Sequence, residues 1–489
     1  MPGSRRMRRS IQSTCRSFSI VAGLALTQQL VLAYPAIAQV STVEERAAVA
    51  ELMAGYHGEP GAVIAVVRGG HVAFAEGFGL ANLEHSIPLG RETVLDIGSV
   101  AKQFTAFAIA LLADEGTLSI DDDIRIHLPE VPDFGEVITI RHMIHHMSGL
   151  REIYTSEGIA GRQNGDAVQQ ADALRLTEHM HELNFRPGER YLYCNTAYMM
   201  LADIVSRASG ISFPEFMAER VFGPLGMHHT TIMSKLGQSI PRVAESYAPD
   251  DEGFVRVFDN SSLYGAGGMY STVDDLALWM SNYATGAVGG PAVIEVMQEQ
   301  GVLNDGEELS YAFGINVGEL RGQRVIRHTG SSAGFRASFT YFPDLEGGVI
   351  TLSNRSNIGS RMPADVLDVF FGERLDPATA EEETAETSEN EEASSWAPSL
   401  AQLADLAGTY YSEELQTVYT LHVEGGKLMG SHRRHGTFEL ESTEEMTFAG
   451  PGFFGTATFD SENGPGASQT FRVSNGRVLN LLFTRTDFE

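Results

Sequence analysis

A serine and a lysine three residues apart could carry out acyl transfer in this chain. Ser99 and Lys102 open an apolar segment with helical spacing, so both side chains are expected on one helix face. A serine hydroxyl is a weak nucleophile until a base takes its proton, and a buried lysine with a lowered pKa can be that base. Taken alone, the Ser-x-x-Lys pattern is more typical of a helix-capping serine beside an exposed lysine.

A second pattern places a phenol and a carboxamide close together. Tyr193 and Asn195 follow a Pro-Gly turn at Pro187 and Gly188. A phenol near a lysine ammonium can pass a proton to a leaving group, and a carboxamide can hydrogen-bond both a lysine and a substrate amide. The alternative interpretation is a core tyrosine with a turn asparagine.

A third pattern is typical of a strand edge at which glycine lets a substrate backbone approach closely. It consists of His328, Thr329, Gly330 and Ser331. The backbone N–H of Ser331, with that of Ser99, could form an oxyanion hole. At mildly acidic pH, His328 could carry charge and attract a substrate carboxylate. The alternative is an ordinary strand or surface histidine.

In this order, the three patterns resemble the penicillin-binding protein and serine β-lactamase superfamily. The similarity is greatest to the branch of class C β-lactamases, D-alanyl-D-alanine carboxypeptidases, D-aminopeptidases and family VIII esterases. It covers residues 61–371, and it includes a segment that ends in Ser148-Gly149-Leu150 and a glycine-rich turn that begins at Gly267. The motifs that carry the resemblance are Ser99-x-x-Lys102, Tyr193-x-Asn195 and His328-x-Gly330.

The resemblance implies a serine hydrolase in which Ser99 forms an acyl-enzyme that water then releases. Lys102 and Tyr193 would share the acid and base work, and which of them takes the first proton stays open. No cofactor and no metal are expected. The residues expected to bind substrate are Asn195, His328, Thr329, Gly330 and Ser331.

The substrate class depends mainly on the residue that begins the third motif. Typical β-lactamases carry lysine where this chain has His328, and a histidine there resembles D-aminopeptidases, alkaline D-peptidases and some D,D-carboxypeptidases. We therefore expect a peptidase or amidase that acts on small peptides, including those with D-residues. A carboxylesterase or β-lactamase of the same superfamily is the alternative, and a sensing protein that acylates without turnover is a third. Cys194, where many relatives carry serine, is interpreted as packing rather than as a reactive thiol.

The elements that must position these residues are strands around a helical insertion. Apolar strands are predicted at 62–67, 71–78 and 347–352, with helical patterns between them, which indicates an α/β (α+β) arrangement. The resemblance implies a β-lactamase/transpeptidase-like sheet with a helical subdomain. Near the end of the chain, short aromatic and β-branched runs with turns at Gly425-Gly426 and Asn475-Gly476 indicate a small antiparallel β-barrel.

Four segments are expected along the 489 residues, and the first directs export. It has a basic start, an apolar stretch and a cleavage pattern ending at Ala38, which predicts a periplasmic or secreted protein with no stable membrane span after cleavage. The third is rich in Glu and lacks Lys and Arg, as expected of a flexible tether. The segments are a signal peptide at 1–38, a serine hydrolase domain at 41–375, an acidic disordered linker at 376–398 and a barrel-like domain at 399–489.

Composition limits the partners of the protein. The formal net charge of −30 argues against nucleic acid, because phosphate binding needs a basic surface. Of the two cysteines, Cys15 would leave with the signal, so no disulfide is expected. His145 and His146 are adjacent and face different ways on any regular element, which argues against a shared metal ion. The expected partner is a small-molecule or peptide substrate, and the oligomeric state stays open.

Overall fold

The computed structural model covers both parts of the chain that carry strand patterns. The expected signal peptide and most of the expected linker lie outside the described residues. Within the described ranges, no helix combines the length and the apolar character needed to cross a bilayer. The described residues are 40–163, 165–359, 361–378, 396–460 and 469–487.

The first part contains an antiparallel six-stranded sheet that supports the predicted chemistry. The predicted strands at 62–67, 71–78 and 347–352 are confirmed as β1, β2 and β15, and the sheet order is β12-β13-β14-β15-β1-β2. The strands of this part are β1 (Ala62–Arg68), β2 (His71–Phe78), β3 (Leu80–Asn82), β4 (Ile87–Pro88), β5 (Leu95–Asp96), β6 (Val168–Gln169), β7 (Thr231–Ile232), β8 (Ser246–Asp250), β9 (Gly253–Val257), β10 (Ser261–Ser262), β11 (Met269–Ser271), β12 (Asn316–Leu320), β13 (Gln323–Ser332), β14 (Phe335–Phe342) and β15 (Gly347–Ser353).

Helices cover both faces of this sheet. This explains why β1 is apolar at every position from Ala62 to Val67 instead of alternating, since none of these residues is more than 2% exposed. The helices are α1 (Val43–Leu52), α2 (Lys102–Asp114), α3 (Ile140–Ile144), α4 (Ile153–Ile159), α5 (Gln170–Glu178), α6 (Asn195–Ser209), α7 (Phe213–Met217), α8 (Gly223–Leu225), α9 (Val273–Thr285), α10 (Gly290–Val296), α11 (Arg361–Phe371) and, in the second part, α12 (Leu400–Leu406).

Helix α2 lies at the centre of the first part. Every residue from Lys102 to Leu112 is buried, so the helix is shielded from water on all sides. The Phe104 ring packs on Trp279 of α9 with centroids 4.3 Å apart. A lysine at the first position of such a helix is held in low dielectric, which is the condition that lowers a lysine pKa.

The second part is a closed antiparallel barrel, which confirms the predicted barrel. Its strands pair in sequence order and β16 closes on β23. Stacked and edge-on aromatic rings fill the interior, among them those of Tyr410, Tyr419, Phe471 and Phe483. The strands are β16 (Gly408–Ser412), β17 (Thr417–Glu424), β18 (Lys427–His432), β19 (Gly436–Glu444), β20 (Thr447–Ala449), β21 (Thr456–Phe459), β22 (Thr470–Asn475) and β23 (Val478–Thr486).

The barrel docks on the segment that follows helix α3, and both parts belong to one compact unit. The Tyr419 hydroxyl donates to the Ile159 carbonyl at 2.7 Å, and Ile159 itself packs in the barrel core. Buried Arg151 forms an ion pair with Glu414 at 2.5 Å. These contacts join the barrel to residues that immediately adjoin the predicted site.

Candidate active site

The Ser99 and Lys102 side chains meet at the start of helix α2. Ser99 lies in a short 3-10 turn, Gly98–Ala101, that leads directly into the helix. The Lys102 Nζ atom lies 3.1 Å from Ser99 Oγ. It also donates to Asn195 Oδ1 at 2.7 Å and to the Ala266 carbonyl at 2.8 Å. A neutral amine has two N–H groups and one lone pair, so these two acceptors leave the lone pair for the serine hydroxyl.

The environment of Lys102 favours that neutral form. The side chain is 0% exposed. Burial, followed by the positive charge of Arg477, lowers the pKa of Lys102 well below its usual value. The geometry and the electrostatics therefore agree on an amine that can accept the Ser99 proton.

Tyr193 lies beside the same pair. Its ring centroid is 4.7 Å from Lys102 Nζ, and its side chain lines the same cleft as Ser99. Burial raises the pKa of Tyr193 above its usual value, so the phenol keeps its proton. The structure thus brings Ser99, Lys102 and Tyr193 together, with a proton acceptor 3.1 Å from the Ser99 hydroxyl and a protonated phenol beside that acceptor.

Asn195 is oriented by a carboxylate that the sequence analysis missed. Asn195 is the first residue of α6, and its Nδ2 donates to Glu152 Oε1 at 2.8 Å. This contact fixes the carboxamide so that Oδ1, not Nδ2, points to Lys102. Glu152 also caps helix α4 by accepting from the Thr155 N–H at 2.8 Å. No local motif marks Glu152, although its place two residues after the Ser-Gly-Leu segment is a weak signal.

Strand β13 approaches the nucleophile turn at van der Waals distance. A Cβ on Gly330 would lie 2.0 Å from the Ile97 carbonyl oxygen, and one on Gly98 would lie 2.6 Å from the Ser331 nitrogen. Gly98 also has a φ of +51°, which other residues rarely adopt. The two glycines let the Ser331 N–H come next to the turn that holds Ser99, while the Thr329 and Ser331 side chains are exposed.

Asp96 joins the nucleophile turn to the end of β13, and the sequence analysis did not single it out. Its Oδ1 accepts from the Gly98 N–H at 2.8 Å and its Oδ2 from the Ser332 hydroxyl at 2.7 Å. Burial raises the pKa of Asp96 to about 6. This carboxyl therefore holds together the two segments whose N–H groups could bind an oxyanion.

His328 is part of the site wall but is not a charged group. The side chain is 5% exposed, with Nε2 3.1 Å from the Tyr311 hydroxyl and Nδ1 2.6 Å from the Thr329 carbonyl. Burial, followed by the charge of Lys102, lowers the pKa of His328 to about 4. The expectation of a positively charged His328 at mildly acidic pH is therefore wrong, because the buried imidazole stays neutral there.

Cys194, His145 and His146 are buried residues that pack in the core. Cys194 is 3% exposed, its thiol donates to the Leu150 carbonyl at 3.5 Å, and burial raises its pKa to about 12, which confirms the packing interpretation. Its N–H donates to His146 Nδ1 at 3.0 Å. The ring nitrogens of His145 lie 3.0 and 3.1 Å from backbone carbonyls. Nowhere in the described ranges do three or more His, Cys, Asp or Glu residues form a group that could hold a metal ion.

The site opens into a cleft of about 2100 Å³. Its walls include Ser99, Tyr193 and His328 from the first part and Arg477 from the barrel. The Arg477 guanidinium carbon lies 4.7 Å from the centroid of the Tyr193 ring. Sequence reasoning found the Asn475-Gly476 turn but not the arginine that this turn carries into the site, because only the docking of the barrel brings it there.

Comparisons with known proteins agree with this architecture. A family model described as Beta-lactamase matches residues 46–370. The chain is 26% identical over 332 residues to a D-aminopeptidase of Gluconobacter oxydans (strain 621H), covering 68% of this chain and 62% of that protein. It is 28% identical over 326 residues to penicillin-binding protein 4* of Bacillus subtilis (strain 168), covering 62% of this chain and 70% of that protein. The chain spans about three fifths of the length of the D-aminopeptidases it matches.

A solved structure extends the similarity to the barrel. The octameric penicillin-binding protein homologue from Pyrococcus abyssi superposes with a TM-score of 0.61 at 25% identity, over 90% of this chain and 99% of that one. Coverage of this extent includes residues beyond 370, so the expected β-lactamase-like fold with an appended barrel is confirmed. The family match covers well over half of the sequence, and the chain belongs to the beta-lactamase family.

Proposed function

We propose that the protein is a serine hydrolase that acts through an acyl-enzyme on small peptides or amides, including those with D-residues. The observation that carries the proposal is the hydrogen bonding of Lys102 Nζ, which donates to two carbonyl oxygens and lies 3.1 Å from Ser99 Oγ. A neutral His328 at the start of the third motif, in place of lysine, favours peptides over β-lactams. The similarity to D-aminopeptidases supports the same substrate class.

The proposed reaction uses Ser99 as nucleophile. Lys102 takes the Ser99 proton as Oγ attacks the substrate carbonyl, and the N–H groups of Ser99 and Ser331 stabilise the oxyanion. The tetrahedral intermediate collapses when Tyr193 protonates the leaving amine, and the Lys102 proton restores the phenol. Water then attacks the ester with the same groups in reverse order, which releases the acid and regenerates Ser99. Asn195, His328, Thr329 and Gly330 would hold the substrate along β13.

A substrate panel tests this proposal on the purified protein. It compares D-amino-acid amides, D-Ala-D-Ala peptides, linear L-peptides, short-chain p-nitrophenyl esters and a chromogenic cephalosporin. We expect turnover of peptides or amides in the wild type, a covalent mass increase with a slow substrate, and loss of both in Ser99→Ala. Retained turnover in Ser99→Ala would show that Ser99 is not the nucleophile. Ester turnover far above every peptide would replace the peptidase assignment with an esterase, and a burst without turnover would indicate a sensor.

Export and segment boundaries belong to the same proposal. We infer that 1–38 is removed on export to the periplasm or medium, and that 376–398 tethers a hydrolase domain, 41–375, to a barrel domain, 399–489. The strands and helices of each part fall within these limits. Intact mass of the exported protein should match a start at Gln39, and mild proteolysis should cut first within 376–398. A full-length mass, or first cleavage inside 41–375, would contradict these assignments.

A further inference from the structure

The turn between β22 and β23 brings a cation from the barrel into the active-site cleft. Arg477 follows Asn475 and Gly476 in that turn, and its guanidinium carbon lies 4.7 Å from the Tyr193 ring centroid. Asn184 holds the C-terminal side of the turn, because its Nδ2 donates to the Arg477 carbonyl at 3.0 Å and its Oδ1 accepts from the Leu479 N–H at 2.8 Å. The backbone that carries Arg477 is therefore fixed against the first part of the chain.

The charge of Arg477 is available to a ligand. Its side chain is exposed to the cleft, and within the described ranges no carboxylate forms an ion pair with it. Two other arginines of the same cleft are engaged: Arg162 pairs with Asp259 at 3.1 Å, and Arg336 donates to the Phe335 carbonyl at 2.7 Å. Arg327 on β13 is also exposed in the cleft, but among these arginines Arg477 is the one that contacts the Tyr193 ring. A planar guanidinium that stacks on an aromatic ring and keeps its donors open is suited to bidentate binding of a carboxylate.

The position of Arg477 relative to Tyr193 indicates which part of a substrate it would meet. In the proposed reaction, Tyr193 protonates the leaving amine. Lys102 and Arg477 both contact the Tyr193 ring, but only Arg477 lines the open cleft, so Arg477 is the cation that a leaving group would meet beside its proton donor. A cation there repels an ammonium and attracts an anion. The neutral His328 does not supply this charge, so the arginine of the barrel takes that place.

We propose that Arg477 binds a carboxylate on the leaving group of the substrate, so that the enzyme prefers to release a C-terminal residue with a free carboxylate from a short peptide. This inference rests on the proposed function and narrows it from peptides and amides in general to carboxypeptidase-type cleavage. It assigns to the barrel a direct role in specificity.

A matched pair of substrates tests the inference on the full-length protein. The pair is an N-acylated dipeptide with a free C-terminal carboxylate and the same dipeptide as its C-terminal carboxamide. We expect the wild type to prefer the free acid. Both rates are taken on the high-pH plateau, where Lys102 is neutral with or without the Arg477 charge. There, Arg477→Ala should lower kcat/KM for the free acid by about 10- to 100-fold, the effect of one charge-assisted hydrogen-bonded contact, and should change the carboxamide rate by less than about 3-fold. The kcat/KM of Arg477→Lys for the free acid should lie between the values of the wild type and Arg477→Ala, because an ammonium keeps the charge but cannot bind in bidentate fashion.

Arg433→Ala is the matched control. Arg433 lies in the β18–β19 turn of the same barrel and does not line the cleft, so its loss removes one charge without touching the site. Both substrates should keep their wild-type rates in this variant. An equal loss of both rates in Arg477→Ala would overturn the inference, because it would indicate a general role in docking.

A binding measurement on the wild type makes the inference independent of how the variants fold. D-Alanine and D-alaninol, which lacks the carboxylate and has no acyl group to transfer, are compared as competitive inhibitors, and D-alanine should bind about 10-fold more tightly. Equal inhibition would overturn the inference. If Ser99→Ala is inactive and the acid-to-amide ratio is the same in the wild type and Arg477→Ala, only the role of Arg477 fails. If Ser99→Ala remains active, the proposed function fails with it.

Discussion

Lys102 determines how the proposed reaction depends on pH. Its pKa is lowered by burial and by the charge of Arg477, so the neutral amine forms at a lower pH than in an exposed lysine. We expect kcat/KM for a neutral amide to rise with pH through that lowered pKa and to level off well below pH 10.5, the usual lysine value. A rise centred near 10.5 would contradict the assignment. His328→Gln is the control, because a histidine with a pKa of about 4 does not contribute to the rise.

Glu152 is a positioning residue whose effect passes through Asn195. Without its carboxylate, the Asn195 amide can turn and present Nδ2 to Lys102, which would then direct its lone pair away from Ser99. We expect Glu152→Ala to lower kcat by about 10²-fold, as a misplacement of roughly 1 Å does. Glu152→Gln should recover most of this loss, since its Oε1 can still accept from Asn195. Equal losses in the two variants, with unchanged melting temperatures, would show that Glu152 does not act through this hydrogen bond.

The sequence predicts the site residues whose types form spaced motifs, and it misses those that act through backbone atoms or distant contacts. Ser99 and Lys102 are three residues apart, so their spacing alone predicts that the two side chains lie on one helix face. The Ala266 carbonyl that binds Lys102 carries no side-chain signature, and Glu152 reads as an ordinary helix cap. The charge state of His328 depends on burial that only the packed structure defines.

At the scale of elements, the close contact between β13 and the nucleophile turn leaves no room for a side chain at the glycines where the two segments meet. A methyl group on Gly330 would meet the Ile97 carbonyl, so Gly330→Ala should push β13 away from the turn and move the Ser331 N–H out of reach of the oxyanion. We expect kcat to fall by about 10²- to 10³-fold, the loss typical of one oxyanion donor, with a smaller change in KM. Steady-state kinetics on the preferred substrate checks this.

Gly318→Ala on the neighbouring strand β12 is the control for this substitution. No atom lies within 4 Å of the added methyl group there, so activity should stay at the wild-type level. Equal loss in both variants would mean that the sheet, and not the local contact, is responsible. The sequence predicts strands such as β1 from their apolar runs, and its third motif predicts that the Ser331 and Ser99 N–H groups meet. It does not reveal that Gly330 packs on the Ile97 carbonyl, because that contact joins segments more than two hundred residues apart.

At the scale of the whole molecule, the barrel is built into the wall of the site. Arg151 precedes Glu152, donates to the Leu479 carbonyl of the barrel and pairs with Glu414. Arg151, which contacts the barrel, is therefore the direct chain neighbour of Glu152. Hydrogen bonds connect Glu152 to Asn195 and Asn195 to Lys102. Periodicity and turn residues in the sequence predict a barrel, but the acidic linker before it suggests a barrel domain that is independent of the hydrolase domain. Only the packed structure shows that the barrel contacts the segment next to the active site.

Breaking the buried ion pair tests how far the barrel and the site depend on each other. Glu414→Ala leaves the Arg151 guanidinium, 1% exposed, without its carboxylate, and removal of one member of such a pair costs about 3 to 5 kcal/mol. We expect denaturant unfolding to show a loss of that size and kcat to fall, because the segment that carries Glu152 loosens with Arg151. Glu413→Ala, at a side chain that is 78% exposed, should change neither quantity. A destabilised Glu414→Ala protein with wild-type kcat would show that the barrel stabilises the fold without organising the site.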